Sequence, residues 1–250
     1  MISIKNVWKS FGDNEVLKGL DLHIPRGETL VVMGRSGCGK SVLLKLITGL
    51  MKPDKGEIWF DNIEISKLKL KDFNQIRQRI GMLFQSSALF DSMTVEENVG
   101  FMLGQHTKLS KREIQELVAE KLNLVDLDDT QHLKPAELSG GMRKRVGLAR
   151  AIAFNPEVIL YDEPTTGLDP ITCAEINKLI RNLHQKLKVT SVVVTHDMDS
   201  AFFVATHIAM IHDGRIVFNG TPNEVGKTGH PILHQFISGS SNSALGVHNR

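Results

Sequence analysis

The sequence is poor in the features that mark several large classes of protein. It has two cysteines in 250 residues, Cys38 and Cys173, which are too few for a disulfide framework and suit a reducing cytosol. Aromatic residues make up only 6% of the chain. Hydrophobic residues at 41% and charged residues at 23% are nevertheless values of a globular protein. A disordered or fibrous chain is therefore excluded.

Charge of one sign and long apolar runs are also lacking. Lys and Arg number 30 against 28 for Asp and Glu, so the chain has no basic excess of the kind that marks a nucleic-acid-binding protein. No run of about eighteen apolar residues predicts a membrane span. Residues 1–8 lack the basic start and apolar stretch of a signal peptide. We expect no nucleic-acid partner and, in any membrane process, a peripheral subunit.

The hydrophobic pattern predicts an α/β core with a helical insertion. Apolar β-branched runs, typical of strands buried on both faces of a parallel sheet, lie at 29–33, 158–161 and 190–195. Alternating segments that predict an antiparallel patch lie at 2–7 and 17–24. Other strands are expected at 57–60, 80–84, 208–211 and 216–218, and helices at 42–50, from 95, from 111, at 141–154 and at 174–187.

The most informative motif directly follows the strand predicted at 29–33. It fits the phosphate-binding pattern G-x-x-x-x-G-K-[ST] and consists of Gly34, Arg35, Ser36, Gly37, Cys38, Gly39, Lys40 and Ser41. Glycines let successive backbone N–H groups point at phosphate oxygens, and the helix that follows adds the positive end of its dipole. Lys40 supplies a charge for the β- and γ-phosphates, and Ser41 a hydroxyl for Mg²⁺.

Polar residues at the ends of other predicted strands extend this site. Asp162 is the type of acid that holds Mg²⁺ through water beside a phosphate loop, and Glu163 is then placed to polarise an attacking water. His196 ends the strand at 190–195, and Gln85, which could reach the metal or the water, ends the strand at 80–84. Because parallel strands end at one edge of a sheet, we expect these side chains beside the phosphates.

A second anion site is predicted at the start of a later helix. The segment Leu138-Ser139-Gly140-Gly141-Met142 places a hydroxyl and two glycines at a helix N-terminus, where anions bind. Standing alone, it would be an ordinary helix cap. The chain has one phosphate loop, however, so we expect the second anion site to contact a nucleotide bound by a second chain.

Together these motifs resemble the ATPase subunit of an ABC transporter. Along roughly residues 1–225, the family's motifs occur in the order Walker A (34–41), Q-loop (Gln85), signature (138–142), Walker B (158–163), D-loop (167–169) and H-loop (His196). The resemblance implies a P-loop NTPase core with a mostly parallel sheet and an antiparallel β subdomain at 1–85 and 157–225. It also implies a helical signature subdomain at 86–156 and a tail at 226–250, which we expect to be flexible from residue 238 onward.

The resemblance implies ATP and Mg²⁺ as cofactors. Ser41 and Gln85 would ligate Mg²⁺, with Asp162 behind them. Glu163 would be the general base, and His196 would touch the γ-phosphate.

It also implies a homodimer, because in such proteins two subunits sandwich two ATP molecules head to tail. Ser139 and Gly141, with Gly140 between them, would contact the γ-phosphate bound at Lys40 of the other copy, and Asp169 would couple the two sites.

Three positions bear on how closely the chain follows the family's pattern. Phe11 matches the aromatic residue on which adenine stacks, although Trp8 is near enough to compete. The signature ends in Met142, where glutamine is usual. Cys38 lies inside the phosphate loop, and we expect the helix N-terminus to lower the pKa of its thiol and make the site thiol-sensitive.

Two segments of the sequence resemble one particular group of ABC ATPases. The signature at 138–142 and the segment at 167–172 look like those of Mla-type, Mce-associated phospholipid transporters. The ATPases of that group are peripheral proteins at the cytoplasmic face of the inner membrane, with a membrane permease and an Mce-type lipid-binding protein as partners. Two alternatives stay open: the ATPase of an importer for amino acids or another small solute, and a non-transport ABC ATPase that acts as a mechanical switch in cell division or cofactor assembly.

Overall fold

Two β-sheets form the frame of the protein in the computed structural model, which describes residues 1–233, 235 and 236. Within these residues the larger sheet contains β3 (Thr29–Met33), β6 (Ile80–Leu83), β7 (Val158–Asp162), β8 (Thr190–Thr195), β9 (His207–His212) and β10 (Arg215–Gly220). The smaller sheet contains β1 (Ile2–Phe11), β2 (Asn14–Ile24), β4 (Lys55–Phe60) and β5 (Ile63–Glu64). Of the predicted tail at 226–250, residues 234 and 237–250 lie outside the described part.

The strand order confirms the predicted fold class. The larger sheet has the order β10-β9-β3-β8-β7-β6, in which all neighbours are parallel except β9 and β10. The smaller sheet, with the order β2-β1-β4-β5, is antiparallel throughout. Asp213 and Gly214 form the hairpin turn between β9 and β10, and both have the positive φ that such a turn requires, 46° and 75°.

The central strands are buried on both faces, as their unbroken apolar sequence predicts. Successive side chains of a strand point to opposite faces, and β3 shows this directly. Val31 and Met33 pack into one hydrophobic core, and Leu30 and Val32 pack into the other. The sheet therefore lies between two hydrophobic cores, which hold the ends of its strands in defined positions.

Helices cover the larger sheet and fill the gap in sequence between β6 and β7. They are α1 (Lys40–Ile47), α2 (Leu70–Gln78), α3 (Val95–His106), α4 (Lys111–Asn123), α5 (Gly140–Ala151), α6 (Pro170–Leu187), α7 (Met198–Val204) and α8 (Pro222–Val225). The helices predicted from 95 and from 111 are α3 and α4, and each begins with a capping box, Thr94 with Glu97 and Ser110 with Glu113. Helices α3, α4 and α5 fall inside the predicted insertion, whose limits at 86–156 stay a prediction. Within the described residues, no helix is both long and apolar enough to cross a bilayer.

Several boundaries differ from the sequence prediction for identifiable reasons. Helix α6 begins at Pro170 rather than at 174, because the Asp169 carboxylate caps it and proline suits the first turn. Helix α2 was missed because its sequence is largely polar, with Phe73 and Ile76 as its buried apolar residues. The short α7, α8 and β5 give too few residues for a periodic pattern.

Close packing of α5 on β6 yields a stability prediction at Gly81. A Cβ atom there would lie 2.2 Å from the backbone oxygen of Ala151, so Gly81→Ala must push the helix from the strand. We expect a loss of about 2 kcal/mol or more in the free energy of unfolding, since overpacking in a rigid interior is costly. The matched control is Gly104→Ala in α3, where the new methyl would be 4.0 Å from Ile114. That change should raise the free energy of unfolding by about 0.5 kcal/mol. Chemical denaturation measures both, and equal effects would contradict the prediction.

Candidate functional site

The candidate site lies at the edge of the larger sheet where its parallel strands end. Strands β3, β8, β7 and β6 are neighbours in that order. The residues predicted from sequence follow them in the same order, because the phosphate loop comes after β3, His196 after β8, Glu163 after β7 and Gln85 two residues after β6. A cavity of about 270 Å³ opens there, lined by Val16, Ser36, Gly37, Gly39, Lys40, Ser41, Val42, Gln85, Glu163 and His196.

The phosphate loop wraps around the side chain of its own lysine. Lys40, the first residue of α1, is 6% exposed, and its ammonium donates hydrogen bonds to the carbonyl oxygens of Gly34 (2.8 Å) and Arg35 (3.1 Å). The backbone can close this tightly because Gly34 lacks a side chain. A Cβ atom there would lie 2.5 Å from the carbonyl oxygen of Ile211 and 2.5 Å from the sulfur of Cys38.

Ser41 and Asp162 form an oxygen pair beside that lysine. The Ser41 hydroxyl donates to Asp162 Oδ1 at 2.9 Å. Burial raises the pKa of the Asp162 carboxyl above its ordinary value, while the Ser41 hydrogen bond lowers it by a smaller amount. The hydroxyl, the carboxylate and the nearby amide of Gln85 are all oxygen donors, which suit a hard cation such as Mg²⁺ that takes its other ligands from water and phosphate.

Glu163 lies between the lysine and the histidine of the site. Its Oε2 atom is 2.9 Å from Nδ1 of His196, and its Oε1 atom is 3.8 Å from the ammonium of Lys40. The Thr166 hydroxyl also donates to Oε2. The Glu163 backbone is left-handed, with a φ of 47°, an uncommon conformation for a residue with a side chain. One carboxylate thus reaches both Lys40 and His196, which line the same cavity.

The pKa of the Cys38 thiol differs from the expectation based on its place in the phosphate loop. Burial raises the pKa of its thiol, and the nearby charge of Lys40 offsets this only in part. The expectation that the helix N-terminus lowers this pKa is wrong, because loss of solvent around the thiolate outweighs the local positive charge.

The signature residues are not part of the cavity around Lys40. Ser139 is exposed at the N-terminus of α5, and its hydroxyl accepts a hydrogen bond from the Met142 backbone at 3.2 Å. The described residues that line the cavity do not include Ser139, Gly140 or Gly141. The predicted site is therefore split between two surfaces of one chain.

Phe11 and Asp169 were also predicted for the site, and neither lines this cavity. Phe11, at the end of β1, is 46% exposed with the ammonium of Lys9 over its ring. Trp8 is only partly exposed and donates its indole N–H to Asn6. Asp169 accepts hydrogen bonds from the backbone of Ile171 and Thr172 as the cap of α6. The roles of Phe11 in adenine stacking and of Asp169 in coupling stay predictions.

Sequence reasoning missed Lys144, a buried residue in direct contact with the site. Its ammonium donates hydrogen bonds to the backbone oxygens of Gln85 and Glu163. The sequence carries only a weak signal for this contact, because Lys144 is one of three consecutive cations at 143–145 near the start of the signature helix.

Comparisons with known proteins identify the family. Residues 17–166 match the ABC transporter family. A solved dimeric post-hydrolysis state of the ATP-binding cassette MJ0796 bound to ADP and Pi is 36% identical, with a TM-score of 0.81 over 88% of this chain and 98% of that one. The intermembrane phospholipid transport system ATP-binding protein MlaF of Haemophilus influenzae is 40% identical over 98% of this chain and 93% of that protein. The methionine import ATP-binding protein MetN of Carboxydothermus hydrogenoformans is 42% identical over 95% of this chain and 72% of that protein.

The chain belongs to the ABC transporter family. It is an ATPase and the ATP-binding subunit of a transporter of this family, and the predicted ABC ATPase fold is confirmed.

Proposed function

We propose that the protein hydrolyses ATP to drive phospholipid transport across or between the membranes of a bacterial envelope. The observation that carries this proposal is the 40% identity to MlaF, which extends over nearly the whole of both chains. The signature at 138–142 and the segment at 167–172 support the same choice, since both resemble Mla-type ATPases.

The residues that line the cavity, together with Asp162 beside Ser41, fit the chemistry of ATP hydrolysis. The backbone N–H groups of the phosphate loop and the ammonium of Lys40 would hold the β- and γ-phosphates. Ser41, Gln85 and Asp162 would hold Mg²⁺, which neutralises phosphate charge when it is bound. Glu163 would take a proton from the attacking water, and His196, 2.9 Å from its carboxylate, would orient that carboxylate and contact the γ-phosphate.

A second copy of the chain would complete each site. The start of α5, with the exposed Ser139, would cover the γ-phosphate held at Lys40 of the other copy. Ile171 supports such an interface, because it follows the D-loop and its apolar side chain is 75% exposed. Two ATP molecules would then bridge two chains, and hydrolysis would remove the bridge.

A groove beside Gln85 is suited to a membrane permease. It has a volume of about 370 Å³ between α2, β6, α3 and α5, and its walls include the apolar side chains of Met82, Phe84, Met102 and Phe154. Because Gln85 directly follows Phe84, movement in the nucleotide site would reach this groove. The protein would therefore lie on the cytoplasmic face of the inner membrane as a peripheral subunit, with an Mce-type lipid-binding protein as a further partner.

The deciding experiment is a gentle detergent purification of the tagged chain from its native membranes, followed by mass spectrometry of proteins and lipids. We expect a multi-span permease, an Mce-type protein and bound phospholipid. The matched control is the Met82→Asp variant, which places a charge in the groove and should lose the permease while still binding ATP. A soluble partner without any membrane protein would contradict transport and favour a mechanical switch.

A second function is favoured by one specific observation. The methionine importer ATPase MetN is 42% identical, so identity alone does not separate lipid from amino-acid transport. Recovery of a permease together with a periplasmic amino-acid-binding protein, and without an Mce-type protein, would establish this alternative.

A further inference from the structure

Helix α5 carries two cations that hold the backbone at 85–88, which is Gln85 and the three residues after it and is called the Q-loop below. Lys144 is 4% exposed, and its ammonium donates to the carbonyl oxygen of Gln85. Two turns later, the guanidinium of Arg150 donates to the carbonyl oxygens of Ser87 at 2.6 Å and Ala88 at 2.7 Å. Helix α5, whose first turn contains part of the signature, is therefore hydrogen-bonded to the Q-loop, the segment between the cavity and the proposed permease groove.

Lys144 also reaches the backbone of Glu163. Its ammonium is 3.3 Å from the Glu163 carbonyl oxygen. The left-handed backbone of Glu163 persists only where its surroundings hold it. Its N–H donates to the carbonyl oxygen of Val194, and its own carbonyl oxygen accepts from the Lys144 ammonium and from the Thr166 N–H. Loss of the ammonium would remove one of the two donors to this carbonyl oxygen.

The Q-loop contains the same type of strained backbone. Ser87 and Ala88 are consecutive left-handed residues, with φ values of 62° and 47°. Strained backbone that is pinned by buried side chains is typical of functional sites. A buried ammonium needs compensating charge, and the carboxylates of Asp162 and Glu163 provide it.

We propose that Lys144 is a positioning residue that ties the signature helix to the general base and to the Q-loop of the same chain. Closure of α5 on the ATP of the partner copy would then adjust the Glu163 backbone and the Gln85 backbone together. The inference rests on the proposed role of Glu163 as the general base.

The test compares four variants of the full chain: Lys144→Met, Lys144→Gln, Lys144→Arg and the control Arg145→Met. Arg145 lies on the same helix but pairs with Asp126 and Glu175, away from the site. ATP stoichiometry, KM for ATP and kcat are measured for each variant. Lys144→Met and Lys144→Gln should lower kcat by about tenfold or more, with KM within about twofold and one ATP still bound per chain. Lys144→Arg should recover most of kcat, and Arg145→Met should leave kcat within about twofold.

Three results would overturn the inference. The first is an unchanged kcat in Lys144→Met or Lys144→Gln, and the second is an equal loss of kcat in Arg145→Met. The third is loss of ATP binding in both neutral variants, which would mean that Lys144 only supports the fold. The proposed role of Glu163 fails separately, if Glu163→Gln retains turnover.

Discussion

Glu163→Gln should bind ATP normally and release phosphate about 10²- to 10⁴-fold more slowly than the unaltered protein. The amide keeps the shape of the side chain but cannot accept a proton from water, and a general base contributes about this factor. Phosphate release under saturating ATP measures the rate, and a fluorescent ATP analogue measures binding.

The same variant should accumulate as an ATP-bound dimer, because hydrolysis is the step that removes the phosphate bridge. Size-exclusion chromatography with and without ATP and Mg²⁺ would show the shift. The control is Glu175→Gln, an identical chemical change on the outer surface of α6, where the carboxylate contacts Arg145. That variant should hydrolyse ATP at the normal rate. Normal turnover by Glu163→Gln in the assembled transporter would show that the general base lies elsewhere.

Ser139→Arg should also lose hydrolysis, but for a different reason. The exposed Ser139 side chain is replaced by a bulky cation in the space where the partner's γ-phosphate is expected to sit. ATP should still bind at Lys40 with an affinity within about twofold of normal, because Ser139 does not line that cavity. No ATP-dependent dimer should form, even in the Glu163→Gln background.

The chain offers a close control for this change at Ser110. Ser110 caps α4 as Ser139 caps α5, with its hydroxyl accepting a backbone N–H in the first turn of the helix. Ser110→Arg therefore removes the same kind of cap, which costs about 1 kcal/mol of stability, without touching the signature. It should retain both hydrolysis and dimer formation. Equal activity in the two variants would contradict the role of Ser139.

Much of this site could be predicted from sequence because its residues stand at the ends of buried strands. The apolar runs that become β3, β7 and β8 locate the sheet, and parallel strands bring their carboxyl ends to one edge. The phosphate loop that contains Lys40 directly follows the first of these runs, and Glu163 and His196 directly follow the other two. Their common position therefore follows from topology alone.

What the sequence did not reveal depends on contacts between distant segments. Lys144 meets Gln85 and Glu163 only after α5 packs against β6, at separations of 59 and 19 residues. The raised pKa of Cys38 likewise comes from burial, which local motif chemistry does not report. The left-handed backbone of Glu163 has no sequence signal, since glycine is the residue that usually marks such a position.

The most direct test of the composite site mixes two inactive copies. In the Glu163→Gln background, one copy also carries Lys40→Ala and the other Ser139→Arg, and native mass spectrometry counts chains and bound ATP. Neither copy alone should form an ATP-dependent dimer, because one lacks the phosphate lysine and the other lacks a usable signature. The mixture should give a heterodimer with one ATP, held between Lys40 of the second copy and Ser139 of the first. Dimers of the Ser139→Arg copy alone, or no dimer in the mixture, would contradict an ATP site shared between two chains.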